Sequence, residues 1–451
     1  MTADLEAHPI SDEALGNTSY LIPCGRGLAF SVDPRRDVDE HVATAARLGV
    51  RIAAVFETHL HADFVSGSLE LQRASGAELY GAAEAQLGFP HRPISSSDRF
   101  RIGEVEVEVI GTPGHTPEHL SYLVTSGASK SVFSGGSLIV GGAARTDLTG
   151  SDRTEELARA QYASLRLLAS LPDETVLCPT HGGGSFCSAT RARSVTSTIG
   201  QERASNPLLD VKDEAAFVDR LLAGFGSYPT YFQHLREVNR SGPKLLSDLP
   251  DATRISPSDA QRAVERGAWL IDARSISAWA SAHPKGSVSI ELRPAFASYL
   301  GWVVPFGAPV VFVLDRDQVD EALRLSRRIG YDNVSPWLTF EDWRDAGLPT
   351  SSTESIEPEE AAERSRSGSA ALLDIRQRAE HATAHLPGAL HLELGDIIDG
   401  KTPETSEVIT YCGHGERSAT AASLLARRGV HVANLAGGLG AWRDAGLPVE
   451  K

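Results

Sequence analysis

Over roughly the first 200 residues, short apolar runs of period two alternate with longer runs of helical period. Thr18–Ile22, Leu28–Val32, Ile52–Phe56, Val105–Ile110, Ser121–Val124 and Thr175–Cys178 predict strands; 38–48, 66–75 and 153–170 predict helices. Turn signals such as Pro23-Cys24-Gly25 and Gly111-Thr112-Pro113-Gly114 punctuate them. The pattern is layered α/β, without a dinucleotide fingerprint or a phosphate-loop lysine motif. Residues 205–243 predict a helical joining segment whose Pro229, Tyr231 and Phe232 suit plain packing.

The C-terminal half repeats itself. LIDAR (270–274) returns as LLDIR (372–376), AHPKGSVSIEL (282–292) as AHLPGALHLEL (384–394), and WRDAGLP (343–349) unchanged at 442–448. A period of about 100 residues is too long for a solenoid unit and fits two tandem copies of one small domain. In each copy strand-like runs (Trp269–Ile271, Val310–Leu314; Leu372–Leu373, Val408–Tyr411) alternate with helix-like ones (258–266, 319–329; 358–366, 418–428). That order predicts an α/β fold with a mainly parallel sheet. The polar TSSTESIEPEE (350–360) reads as a linker. The expected domains are 1–245, 252–350 and 355–451, in line with a chain of 451 residues.

Composition narrows the field. The chain is 41% hydrophobic and 23% charged, with a net charge of −16, which disfavours nucleic acid and anionic membranes as partners. Four cysteines cannot make a disulfide framework, and MTADLEAHPISDEALG lacks the pattern of a signal peptide, so a cytoplasmic setting is expected. The uncharged run at 301–314 is too short and proline-broken to span a bilayer.

Histidine supplies the first candidate chemistry. His8, His41, His91 and His234 are read as ordinary surface or core residues. ETHLHADFVSG (57–67) differs: His59, His61 and Asp63 follow a strand at alternate positions, a spacing that suits zinc or iron. His115 and His181 also sit just after strands.

THLHAD, TPGHT and CPTHG in this order resemble the metallo-β-lactamase fold, an αββα sandwich with its metal site at one edge. HADFVSG, TPGHTPEH, ARTDL (144–148) and the PTYFxxLxxxNxxGP segment resemble persulfide dioxygenases, and more specifically those fused to rhodanese domains. The resemblance implies one Fe(II) per chain, held by His59, His115 and a carboxylate, with His61, Asp63 and His181 orienting ligands or substrate. Phe64 replaces the last histidine of HxHxDH, weakening a second metal position. The carboxylate is also missing, because FSGGSL places Gly136 where the family has aspartate. Three arrangements stay open: iron on His59 and His115 with water or substrate filling the vacancy; a zinc-type set of His59, His61 and His115; or a domain without metal. Asp147 belongs to the separate RTD string and is not promoted to ligand.

Cysteine supplies the second. Cys24, Cys178 and Cys187 read as small buried hydrophobes. Cys412 stands between a strand and an alanine-rich helix in YCGHGERS, where loop amides and a helix N-terminus can stabilise a thiolate or an oxyanion. Arg417 adds a guanidinium, Gly413, Gly415, Glu416 and Ser418 build the loop, and His414 reads as solvated. The loop is similar to that of a rhodanese, with Cys412 and Arg417 as catalytic residues. The first copy has no cysteine and is expected to be silent.

The resemblance implies oxidation of a glutathione-type or other small persulfide by O2 to sulfite, with Cys412 exchanging sulfane sulfur with sulfite or thiosulfate, in a chain able to form a homo-oligomer. The competing expectations are a zinc thiolester hydrolase of the glyoxalase type, and a sulfur relay with a non-catalytic first domain.

Overall fold

The computed structural model describes residues 5–188, 194–405 and 407–451. The chain forms two compact units, one reaching to Phe225 and adding Tyr231–Leu249 and Arg327–Gly330, the other holding the rest.

In the first unit β1 (His8–Asp12), β2 (Asn17–Pro23), β3 (Leu28–Val32), β4 (Arg51–Phe56), β5 (Glu78–Ala82) and β6 (Arg92–Ile94) form a sheet in sequence order. It is antiparallel to β3 and parallel thereafter. A second six-stranded sheet contains β7 (Arg99–Ile102), β8 (Val105–Gly111), β9 (Leu120–Ser126), β10 (Ser129–Gly135), β11 (Val176–Pro179) and β12 (Ser197–Thr198). Only its β10–β11 pair is parallel.

Alternation along the strands builds three apolar layers. Tyr20, Ile22, Phe30, Val32, Phe56, Val105, Val107, Val109, Tyr122 and Phe133 meet between the sheets. Their strand neighbours Leu21, Ala29 and Val55 face outward with Val38, Ala45 and Leu71, while Leu123, Val132 and Leu177 pack with Leu165, Leu168 and Phe217. This is the period-two rule applied on both faces of each sheet. It makes an αββα sandwich, as expected.

The second unit holds two five-stranded sheets of one topology. The first contains β13 (Thr253–Arg254), β14 (Trp269–Asp272), β16 (Val288–Ser289), β17 (Val310–Val313) and β18 (Pro336–Leu338), in the order β13-β18-β17-β14-β16. The other contains β20 (Glu354–Ile356), β21 (Ala371–Asp374), β22 (Leu390–His391), β23 (Glu407–Tyr411) and β24 (His431–Leu435), in the order β20-β24-β23-β21-β22. Every neighbouring pair is parallel.

Repeated residues make repeated bonds. Arg274 clasps Asp272 and donates to Ala282 O at 2.8 Å, and Arg376 clasps Asp374 and donates to Ala384 O at 2.7 Å. Trp343 and Trp442 each donate their indole N–H at 2.9 Å to the carbonyls of Pro349 and Pro448.

The expected linker at 350–360 is ordered structure instead. β15 (His283–Pro284) pairs with β19 (Thr350–Ser351), and β20 is an edge strand beside β24. An edge strand buries little, and here only Ile356 of β20 is covered, so its sequence looks like a loop. Among the described residues no helix is long and apolar enough to cross a membrane.

Candidate metal centre and cysteine loop

Three strand ends of the first unit carry the histidines, and a fourth brings Gly136 among them. The loop after β4 holds His59, His61 and Asp63, that after β8 holds His115 and His119, β10 runs into Gly136, and His181 follows β11. All five histidines are buried.

Hydrogen bonds define three of the rings. Thr58 Oγ1 donates to Asp33 Oδ2 at 2.7 Å, so it accepts from His59 Nδ1 at 2.8 Å. His115 Nδ1 donates to Arg145 O at 2.6 Å, and His181 Nδ1 to Asn17 Oδ1 at 3.0 Å. A neutral imidazole that donates from Nδ1 presents a lone pair at Nε2. The Nε2 atoms of His59 and His181 lie 3.2 Å apart, and His59, His115 and His181 offer nitrogens within 4.8 Å of one another. Burial, reinforced by neighbouring imidazoles, holds His59 and His115 well below the usual histidine range, in the neutral form a metal requires. Facing lone pairs repel unless a cation sits between them, so this donor set fits a metal ion.

His61 is engaged differently. Its Nε2 lies 3.3 Å from both Asp33 Oδ1 and Glu57 Oε2. Burial alone would lower its pKa, but the two carboxylates override that and raise it to about 10. His59, with Asp33 and His61, also forms a group with metal-ligand spacing, so His61 and His181 each stand beside His59 in a candidate set. Asp63 stands with Oδ2 3.3 Å from His181 Nδ1, and both its oxygens lack a hydrogen bond. His61, Asp63 and His181 form a third group with metal-ligand spacing.

Gly136 is more than a missing carboxylate. A Cβ there would lie 2.4 Å from His115 Cδ2 and 3.0 Å from His181 Cδ2, so the rings already fill the space. Phe64 is buried and stacks on His61, with centroids 4.2 Å apart. Asp147 pairs with Arg145 at 2.6 Å, outside the cluster.

Three contributors escaped the sequence reading. His119 Nε2 accepts from Gly136 N at 3.0 Å while its ring stacks on His59, which positions both. Its signal was present in TPGHTPEH, four residues beyond His115. Asp33 accepts from Thr58 N at 2.7 Å and also binds the Thr180 hydroxyl, tying the loops after β4 and β11 together. Asn239 donates at 2.9 Å to both His61 O and Phe64 O. Tyr231, read as packing, also donates to Asp63 O at 2.9 Å. The helical segment thus clamps the histidine loop.

A cavity of about 680 Å³ opens on this centre, lined by Asn17, Thr18, His181, Gly182, Gly183 and Gly184 among others.

In the second unit Cys412 follows β23 and is fully buried. Its Sγ accepts from Gly415 N at 3.1 Å and from Ser418 Oγ at 3.6 Å. Gly415 has φ +108°, a conformation side chains avoid, and this turns its amide toward the sulfur. Glu416 opens the following helix, Glu416–Ala426, and His414 is exposed, while Gly413 lies under Arg417. Arg417 is not aimed at the sulfur. It makes a bidentate pair with Glu380 at 2.7 and 2.8 Å. In the first copy Asp315 caps the turn Arg316–Gln318 at the matching strand end. All four cysteines are free. Burial pushes the Cys24 and Cys178 thiols up to about 12.

Sandwich and histidine centre together define the class: the chain belongs to the metallo-beta-lactamase superfamily, whose profile matches residues 18–181, and it carries a rhodanese-like domain at 357–445. Among its relatives is the hydroxyacylglutathione hydrolase of Rhodospirillum rubrum, 30% identical over 52% of this chain and 84% of that protein. The hydrolase of the same name from Xanthomonas axonopodis pv. citri is 34% identical over 37% of this chain, which spans only 60% of that protein's length. A crystal structure of a metallo-beta-lactamase from Staphylococcus aureus superposes with a TM-score of 0.68 at 26% identity, covering 75% of this chain and 99% of that one. The family profiles find one rhodanese-like domain, so the tandem rests on the repeated residues and the repeated topology. Both domain types are those of enzymes.

Proposed function

We propose that the chain oxidises a small persulfide, of the glutathione type, to sulfite at the histidine centre and moves sulfane sulfur through Cys412. The reaction is RSSH + O2 + H2O → RSH + H2SO3. The observation that carries the reading is the convergence of His59, His115 and His181 in a chain that also holds the Cys412 loop.

His59, His115 and His181 would hold one Fe(II), which when bound supplies a point where the persulfide sulfur and dioxygen meet. Thr58, Arg145 and Asn17 fix the imidazole tautomers. Phe64 supplies an apolar wall where a second metal's ligand would stand, which favours one ion over two. The glycine-lined cavity has room for a tripeptide-sized thiol.

Cys412, stabilised by Gly415 N–H and Ser418 O–H, carries sulfur as Cys–S–S⁻ and passes it to sulfite to give thiosulfate. Residues 252–350 form a silent rhodanese-like domain and 355–451 the active one. Joining both chemistries in one chain raises the local concentration of each intermediate at the other site.

Thiolester hydrolysis at the same centre is the second reading, supported by the names of the curated relatives. Gly136 and Phe64 argue against it, because both withdraw ligands from a two-metal site. Metal analysis of anaerobically purified protein, paired with oxygen uptake on glutathione persulfide, tests the proposal. Iron with oxygen uptake supports it. Zinc with thiolester cleavage establishes hydrolysis, and metal-free protein with an active Cys412 establishes a sulfur relay.

A further inference from the structure

The cysteine-free copy is built onto the helix that carries the Cys412 loop. Thr420 Oγ1 donates to Ser289 O at 2.7 Å, and Ser289 N donates to Ser423 Oγ at 3.2 Å. Trp279 and Ala280 pack with Ala419 and Ala422 of the same helix. Beyond β16 the chain passes Glu291 and Arg293 and enters the helix Phe296–Val303. Trp302 of that helix closes on Gly395, where a Cβ would lie 3.6 Å from its ring.

This segment brings two polar groups toward the loop. The Arg293 guanidinium lies over the Tyr299 ring, 5.2 Å from its centroid. Tyr299 interacts electrostatically with Arg417, Cys412 and Glu380, and Arg417 with Tyr299 and Cys412 in return. Burial raises the Tyr299 pKa above its ordinary value, against the pull of Arg417 and Arg293, so the hydroxyl keeps its proton and can donate. Arg417 is neutralised by its bidentate pair with Glu380. Arg293 differs: among the described residues no carboxylate stands within ion-pair distance of it. Glu291, which feels its charge, accepts from the Ile276 amide instead.

Transfer to sulfite, Cys412–S–S⁻ + SO3²⁻ → Cys412–S⁻ + S–SO3²⁻, forms one S–S bond and breaks another, and the electron pair returns to Cys412 Sγ. Three negative charges meet there, and the guanidinium of the loop itself is already paired. We propose that Arg293 and Tyr299 of the cysteine-free copy bind the oxygens of sulfite or thiosulfate while sulfur passes to or from Cys412. A guanidinium and a hydroxyl make charge-assisted hydrogen bonds to such an oxyanion. The copy without a cysteine then supplies the cation that the loop lacks. The assignment rests on the sulfur-transfer reading of Cys412.

Steady-state transfer from thiosulfate to dithiothreitol by the full chain tests it, because the donor and acceptor half-reactions each have their own kcat/KM. Arg293→Gln should lower kcat/KM for thiosulfate by about tenfold or more, while kcat/KM for the neutral dithiothreitol stays within about twofold. Arg293→Lys should recover part of the loss. Tyr299→Phe keeps the ring and should lower kcat/KM for thiosulfate by about threefold or more; it is the second variant should Arg293→Gln fail to fold. Unchanged thiosulfate constants in the folded variants, or equal losses for thiosulfate and dithiothreitol, overturn the proposal. Wild-type protein that transfers no sulfur from thiosulfate overturns the sulfur-transfer reading, and this proposal with it.

Discussion

His59 and His181 face each other through their Nε2 atoms at 3.2 Å, and each has its Nδ1 committed elsewhere, His59 to Thr58 and His181 to Asn17. Two ring nitrogens held this way in a buried site are placed to share a cation, and His115 completes the set.

His181→Ala should therefore weaken metal binding as strongly as His59→Ala or His115→Ala, by more than about tenfold. His61→Ala should cost less, because its Nε2 serves Asp33 and Glu57. Metal content per chain after dialysis against a graded chelator checks this. Metal retained by His181→Ala and lost by His61→Ala would favour the set of His59, His61 and His115.

Restoring the carboxylate should fail. Gly136→Asp and Gly136→Ala both place a Cβ 2.4 Å from His115 Cδ2, and overpacking of this kind costs about 1–3 kcal/mol. Denaturant unfolding should show both variants destabilised to a similar degree, with no gain in metal affinity for the aspartate.

Cys412→Ser should abolish thiosulfate:sulfite sulfur exchange and leave oxygen uptake intact, since the two chemistries use separate residues. Retained exchange in this variant would remove Cys412 from the reaction.

Glu380→Gln should free Arg417 from its bidentate partner. A released guanidinium beside the Cys412 loop should lower the KM for thiosulfate several-fold (about threefold or more) with little change in kcat. Steady-state kinetics at fixed ionic strength decides the matter. An unchanged KM would mean that Arg417 binds no anion.

Cys24 and Cys178 should resist alkylation in the native protein at about pH 8, where thiols with a pKa near 12 carry only about one part in ten thousand of thiolate. The sign of the linked stability follows. Above about pH 8.5 these thiols ionise when unfolded but stay protonated when folded. Stability should thus fall as pH rises toward 12, by about 1 kcal/mol per pH unit for each thiol. Cys24→Ala/Cys178→Ala should flatten that slope in unfolding measured between about pH 9 and 11.

Much of the fold was legible in the chain because strand faces obey a period of two. Phe30 and Val32 alternate with Ala29, and Tyr122 with Leu123, so both faces of the sheets could be read locally. The hundred-residue repeat likewise foretold one topology twice, down to the Arg274 and Arg376 clasps. The edge strand Glu354–Ile356 was missed because an edge buries one residue and looks like a loop.

The site divided along the same line. By itself the sequence determined which residue types stand at strand ends: His59, His61 and Asp63 after β4, His115 after β8, His181 after β11 and Cys412 after β23. Which nitrogen each ring offers is a matter of partners far away in sequence, such as Asn17 for His181 and Asp33 for Thr58. Only the tertiary structure brought these together. It set His61 beside Asp33 and Glu57, brought His181 to His59 and His115, and showed Gly136 as space occupied by two imidazoles. It also joined Arg417 to Glu380. Hydrogen-bond direction and charge pairing depend on three-dimensional neighbours, and these no local pattern encodes.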